Sequence, residues 1–121
     1  MRKLILLTLF FTLVLFSSLN ARNTFKGQKI YLKECRVCHM GSKIFLNMYT
    51  LTEWEKVLGR DNTALAYIHL SKSVKNVNSK DGTIKDSHSY FKSNKYKKQY
   101  RHLKNFIIEF ARKNDENFYN Q

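Results

Sequence analysis

Apolar residues crowd the first part of this chain and then thin into a helical rhythm. Residues 4–16 are apolar except for Thr8 and Thr12; Met1-Arg2-Lys3 precedes them, and Ser17, Ser18 and Asn20 lead to Ala21. From residue 24 onward, apolar positions recur at spacings of three and four, the period of a helix that buries one face. The pattern predicts a first helix over residues 24–40, with Phe25, Ile30 and Tyr31 available for packing. A capping box Thr52-x-x-Glu55, followed by Trp54, Val57 and Leu58 and stopped by Gly59, predicts a second. A third begins at Asn62 or Thr63 and presents Leu65, Ile68 and His69. Apolar residues at 96, 100, 103, 107 and 110 predict a long last helix, with residues 114–121 fraying. Residues 72–89, rich in Ser, Asn, Lys, Gly and Asp with Asp81-Gly82 as a turn signal, are expected to form the longest loop. No repeat and no alternating strand pattern is present, so the fold class is all-α. The absence of proline agrees, leaving Gly, Asn and Ser to make the connections.

The opening segment has the basic, apolar and small-polar order of a secretory signal peptide. Its apolar run is shorter than the roughly 20 residues that a spanning helix needs. Cleavage after Ala21 is expected, although Leu19 is bulky for the position three before the cut. The chain then divides into a signal peptide, 1–21, and a single domain, 22–121, placed in the periplasm; an uncleaved signal would leave it membrane-anchored. Taking 21 from 121 leaves 100 residues, enough for one small core.

The pentad Cys35-Arg36-Val37-Cys38-His39 changes the picture most. C-x-x-C-H is the attachment signature of a c-type haem. On a helix, positions i, i+3 and i+4 share one face, so Cys35, Cys38 and His39 would point at one flat ligand. The two thiols would bond to the haem vinyl groups, and His39 would offer a nitrogen to iron as the proximal ligand. Other chemistry suits Cys-x-x-Cys as well. A zinc site would need further thiols or a paired histidine, and the chain has only these two cysteines. A thioredoxin-like thiol pair would need a βαβ setting, which the periodicity does not offer. Haem c, one per chain and covalently attached, is therefore the expected cofactor. A large apolar cofactor also helps so small a domain to fill its core.

The run Lys26-Gly27-Gln28-Lys29-Ile30-Tyr31-Leu32-Lys33-Glu34-Cys35-Arg36-Val37-Cys38-His39 resembles the N-terminal helix of class I cytochromes c. Gly27, Tyr31 and Cys35 match that family's glycine, aromatic and first haem cysteine at four-residue intervals. The run Leu103-Lys104-Asn105-Phe106-Ile107-Ile108-Glu109-Phe110 is similar to its last helix, which packs across the first. The resemblance implies three to five helices around one covalently bound haem, with Gly27 where the two terminal helices cross. Helix-packing distances give that glycine a physical reason, since a side chain would hold the helices apart. The implied activity is single-electron transfer, and the chain is not expected to be an enzyme.

The chain departs from the family on the far side of the iron, where a loop methionine is usual and none is present. Met40 adjoins His39 and cannot circle the ring. Met48 lies nine residues beyond His39, a span of about 30 Å at most, enough only for a taut loop. His88 falls close to where the family's methionine would be, and is the first choice for the distal ligand. His69 on the third helix competes with it, as does Met48. Each has a plainer reading: Met48 as core, His69 as a half-buried helix histidine with a satisfied nitrogen, His88 as a solvated loop residue. His102 reads as a surface or packing residue.

Charge enters last. Lys and Arg number 22 against 9 Asp and Glu, a net charge of +13, or +11 once Arg2 and Lys3 are removed. Lys92, Lys95, Lys97, Lys98, Arg101 and Lys104 crowd the last helix, and Lys26, Lys29, Lys33 and Arg36 line the first. Such a surface steers redox partner proteins with acidic docking faces, and also suits peripheral contact with an anionic membrane surface. A plain solvated, solubilising face is the alternative. Nucleic acid is not expected as a partner of an exported protein, and Tyr96 and Tyr100 sit at core spacing. A monomer is expected. The competing function is a haem-based small-ligand binder or sensor with an open or weakly filled sixth position. A haem peroxidase is weaker still, for want of an assignable Arg/His distal pair.

Overall fold

The computed structural model describes residues 23–71, 76–78 and 84–119. The expected signal peptide, 1–21, lies outside the described residues, as does the Asp81-Gly82 turn. Helix α1 covers residues 23–30 and runs on as a π-helical turn, Tyr31–Cys35. A short helix α2, Ser42–Phe45, leads into a 3-10 turn, Leu46–Met48. Helices α3, Leu51–Leu58, and α4, Thr63–Leu70, follow. Two three-residue strands, β1 Asn76–Asn78 and β2 Ile84–Asp86, pair antiparallel with Asn76 opposite Asp86. Helix α5, Ser87–Lys92, and the long α6, Asn94–Tyr119, complete the chain. The protein is mostly helical. No described helix is long and apolar enough to cross a membrane.

Helix α6 is the spine. Tyr96, Tyr100, Leu103, Phe106, Ile107 and Ala111 form its buried stripe, against Tyr31, Leu46, Trp54, Leu58, Leu65 and Phe91 from the other elements. The expected positions 96, 100, 103 and 107 are buried, whereas Phe110 is only partly so. Tyr96 and Tyr100 pack as expected, and their hydroxyls turn to chain carbonyls. Tyr96 donates to Asn62 O at 2.7 Å and Tyr100 to Leu58 O at 2.6 Å. The Lys104 ammonium donates to Gly59 O. Three side chains of one helix thus satisfy backbone acceptors: two at the end of α3, where a helix leaves carbonyls without partners, and one just before α4.

Gly27 lies where α1 meets α6. A Cβ built there would stand 2.0 Å from His102 O and 2.5 Å from Phe106 Cβ, so only glycine admits this approach. Gly59 ends α3 with φ +69°, the left-handed conformation in which glycine carries no side-chain penalty.

Local expectations shift in four places. The capping box forms at Thr50 and Glu53, two residues before the expected pair: Glu53 N–H donates to Thr50 Oγ1 at 3.3 Å, and Thr50 N–H to Glu53 Oε2 at 2.8 Å. Starting there lets the Leu51 N–H reach Asp115 Oδ2 on α6 at 3.1 Å. The same contact explains the second shift. Asp115 caps α3 and Asn114 pairs with Asn47, so α6 stays helical to Tyr119 instead of fraying from residue 114. Third, the first helix does not continue to residue 40; its α-helical part gives way to the π-turn and then to a turn over 36–38. Fourth, the expected loop 72–89 contains the strand pair and the start of α5. Asp86 builds that start by accepting from the N–H groups of His88 and Ser89, at 2.9 and 3.2 Å.

Candidate functional site

The pentad closes on itself. The Cys35 carbonyl accepts from Cys38 N–H at 3.1 Å and from His39 N–H at 2.9 Å, making residues 35–39 one tight turn. The π-turn just before it is closed by Arg36 N–H to Tyr31 O at 2.9 Å. Insertions of this kind re-aim the residues that follow and recur at functional positions. Tyr31, only 1% exposed, braces the far end by donating its hydroxyl to Met40 O at 2.8 Å. The pentad is therefore held from both sides by the aromatic residue four positions before its first cysteine.

Both thiols are unbonded; Cys35 is half-buried against the core and Cys38 is exposed. Burial, with smaller contributions from Glu34 and Cys38, pushes the Cys35 thiol up to about 12. A thiolate there is disfavoured, which works against thiol exchange, since that uses the thiolate. A thioether is neutral and carries no such cost. Burial also raises Tyr31, Tyr90 and Tyr96 above the usual phenol range, with the Cys35 charge adding to each.

His39 is half-buried and stacks on Phe45, ring centroids 4.1 Å apart and planes at 25°. Its second ring neighbour is His69, at 6.0 Å with planes at 89°. Burial first, and His69 second, hold His39 below the ordinary histidine range, so it is a neutral imidazole at neutral pH. His69 stacks on Phe91 of α5 at 3.9 Å and 21°. Its Nδ1 lies 2.8 Å from Leu65 O. A carbonyl only accepts, so Nδ1 carries a proton, and in the neutral ring the lone pair is then on Nε2.

The structure brings the His39 and His69 rings together, while the other two distal choices differ from each other in burial. Met48 is 57% exposed; the buried residue of its turn is Leu46, so the core reading of Met48 does not hold. His88 is buried, 7% exposed, and its Nε2 has no hydrogen-bond partner. It is not a solvated loop residue, because the loop is helical there and α5 packs on α4. His102 is partly buried at the α1–α6 crossing, with Nδ1 lacking a partner. Sequence reasoning missed Phe45 and Phe91, the two ring supports. Their only signal is an aromatic six residues after His39 and another three residues after His88.

The residues fit a haem. Two unbonded thiols and a neutral imidazole occupy one closed turn, and buried His88 Nε2 is an orphaned polar atom of the kind that a cofactor satisfies. Large apolar side chains stand exposed on the segments carrying the two histidines: Met40, Ile44, Met48 and Tyr49 after the pentad, Tyr67 and Ile68 on α4. A broad apolar ligand would cover such surface. Among the described residues no group of three or more His, Cys, Asp or Glu is placed to hold a bare metal ion. Iron in a macrocycle asks the protein only for axial ligands.

The basic side chains divide. Lys26, Lys29, Lys33, Arg36, Lys92, Lys97, Lys98 and Arg101 are exposed. Lys95 pairs with Glu34, and Lys104 is spent on Gly59 O. No protein-family model matches the chain, and no curated protein or solved structure matches it.

Proposed function

We propose that this chain is an exported monohaem c-type cytochrome, a small helical domain that carries single electrons in a periplasmic respiratory chain. The observation that carries the reading is the closed turn Cys35–His39, with two unbonded thiols beside a neutral, half-buried imidazole. Gly27, packed against His102 O and Phe106, supports it by giving the terminal helices the crossing that the class I cytochrome resemblance implies. Bound haem would supply an iron that cycles between Fe(II) and Fe(III). Cys35 and Cys38 would tether it, and His39 would offer a ring nitrogen to the iron. Phe45 stacks on the imidazole and Tyr31 braces its turn through Met40 O. As a carrier the protein would convert no substrate and would not be an enzyme. The exposed lysines of α1 and α6 offer a face to acidic redox partners.

Spectra of the exported, purified protein before and after acid-acetone extraction test this. Colour should remain with the polypeptide, with sharp low-spin bands on reduction, and should be lost when Cys35→Ser and Cys38→Ser are combined. A colourless wild-type protein, or haem fully removed by the solvent, would overturn the proposal.

A further inference from the structure

We propose that His69 is the second axial ligand of the iron, so that the site is a bis-histidine centre spanning the pentad turn and α4. This rests on the haem reading above and names the ligand that the sequence leaves open among His88, Met48 and His69.

Distance comes first. A metal–imidazole nitrogen bond of about 2.0–2.1 Å, with about 1.1 Å from nitrogen to ring centre, puts two trans imidazole centroids about 6.3 Å apart. His39 and His69 stand at 6.0 Å. Their planes, at 89°, are compatible with two imidazoles crossed about one axis. The two rings therefore already hold the separation that a shared iron requires.

Tautomer comes second. The Nδ1–H of His69 donates to Leu65 O at 2.8 Å, so the neutral ring has its lone pair on Nε2. Metal-binding histidines characteristically donate their other ring N–H to a carbonyl or carboxylate, because this fixes the ring and raises its basicity. The spacing of His69 and Leu65, four residues on one helix, supplies that support locally.

Support of the rings comes third. Phe45 lies flat on His39 and Phe91 lies flat on His69, so each imidazole has an aromatic backing on a different element. The alternatives are placed less well. Met48 is exposed. His88 is buried on α5, but α5 reaches this pair of rings through Phe91. Two nitrogen ligands would set a lower reduction potential than a histidine–methionine pair. They would also fill the iron, which favours electron transfer over the binding of small molecules.

The test uses the exported full chain as wild type and as His69→Ala, His88→Ala, Met48→Ala and His69→Met. Covalent haem is quantified as the pyridine haemochrome, which does not depend on the axial ligands; its absence from wild type would overturn the haem reading itself. With haem present, His69→Ala alone should turn high-spin, and added imidazole should restore the low-spin spectrum. His88→Ala and Met48→Ala should stay low-spin. His69→Met should gain a sulfur-to-iron band in the oxidised spectrum and a raised potential, a readout that stands even where His69→Ala fails to accumulate. A low-spin His69→Ala, a spin change in His88→Ala or Met48→Ala alone, or a His69→Met protein without the sulfur band would overturn the assignment.

Discussion

Replacing Gly27 by alanine puts the packing of α1 on α6 to a test whose sign alone decides. The new Cβ would lie 2.0 Å from His102 O. An ordinary C···O contact is about 3.3 Å, so α6 would have to retreat by about 1.3 Å. The obstacle is backbone, which cannot swing aside as a long side chain can. Phe106 Cβ at 2.5 Å blocks a sideways escape. Overpacking of this kind costs about 3 kcal/mol, against which alanine regains about 1 kcal/mol of helix propensity. The net loss is about 2 kcal/mol, or a fall in Tm of about 8–16 °C for a domain of this size. If α1 did not cross α6 at this point, the propensity gain would stand alone and Tm would rise by about 4–8 °C. Gly41→Ala serves as the control, since nothing lies within 4 Å of its added Cβ; it should change stability by under about 0.5 kcal/mol. Thermal unfolding followed by far-UV circular dichroism reads both variants. A Gly27→Ala protein as stable as wild type would refute the crossing.

Two further predictions follow from buried polar groups. Trp54→Phe removes the indole N–H that donates to Leu46 O at 2.9 Å, leaving that carbonyl unpaired beside a smaller ring. It should cost roughly 2–4 kcal/mol in urea unfolding; a loss under about 1 kcal/mol would mean that water replaces the indole. His102 is held below the ordinary histidine range by burial, then by Lys26 and Arg101. Its unfolded form therefore takes up a proton first, and stability contributed by the neutral ring is lost as pH falls from about 6.5 toward the folded value. His102→Gln should show a shallower fall in stability between neutral and mildly acid pH; parallel curves for the two proteins would exclude the effect.

What the sequence made legible was set by short-range rules. Gly59 stops α3 because a left-handed position follows the last helical residue, and that rule needs no tertiary information. The stripe 96, 100, 103 and 107 is readable because one helix face is apolar. Beyond it the pattern misleads. Positions 106, 107, 110 and 111 all carry apolar side chains, and the contact with α1 at Gly27 draws in Phe106 while Phe110 is left at the margin. The capping box is ambiguous for a related reason. Thr50-x-x-Glu53 and Thr52-x-x-Glu55 both satisfy the local rule, and Asp115, 64 residues away from Leu51, decides between them. The pentad is legible because its chemistry lies within five residues. The pairing of His39 with His69 is not, since it depends on how α4 docks, and the turn and short helices that set the docking leave only weak marks on the pattern.

That docking points to what α6 does for the site. Tyr31, just ahead of the pentad, packs on Phe106 of α6 at 5.9 Å between ring centroids. Glu34, beside Cys35, pairs with Lys95. On the other side, Tyr96 donates to Asn62 O at the start of α4 and packs on Phe91, the ring behind His69, at 5.0 Å. Both histidine-bearing segments are thus fastened to the first half of one helix. A site built from two rings must hold their spacing to within about 0.5 Å, and loops alone do so poorly. With α6 as the common ruler, the 6.0 Å between His39 and His69 depends on side chains that pack behind the two segments, Tyr96 foremost. The aromatic stripe that reads as plain core packing is in this view also the frame of the site. The long helix would then owe its tyrosines to position as much as to burial.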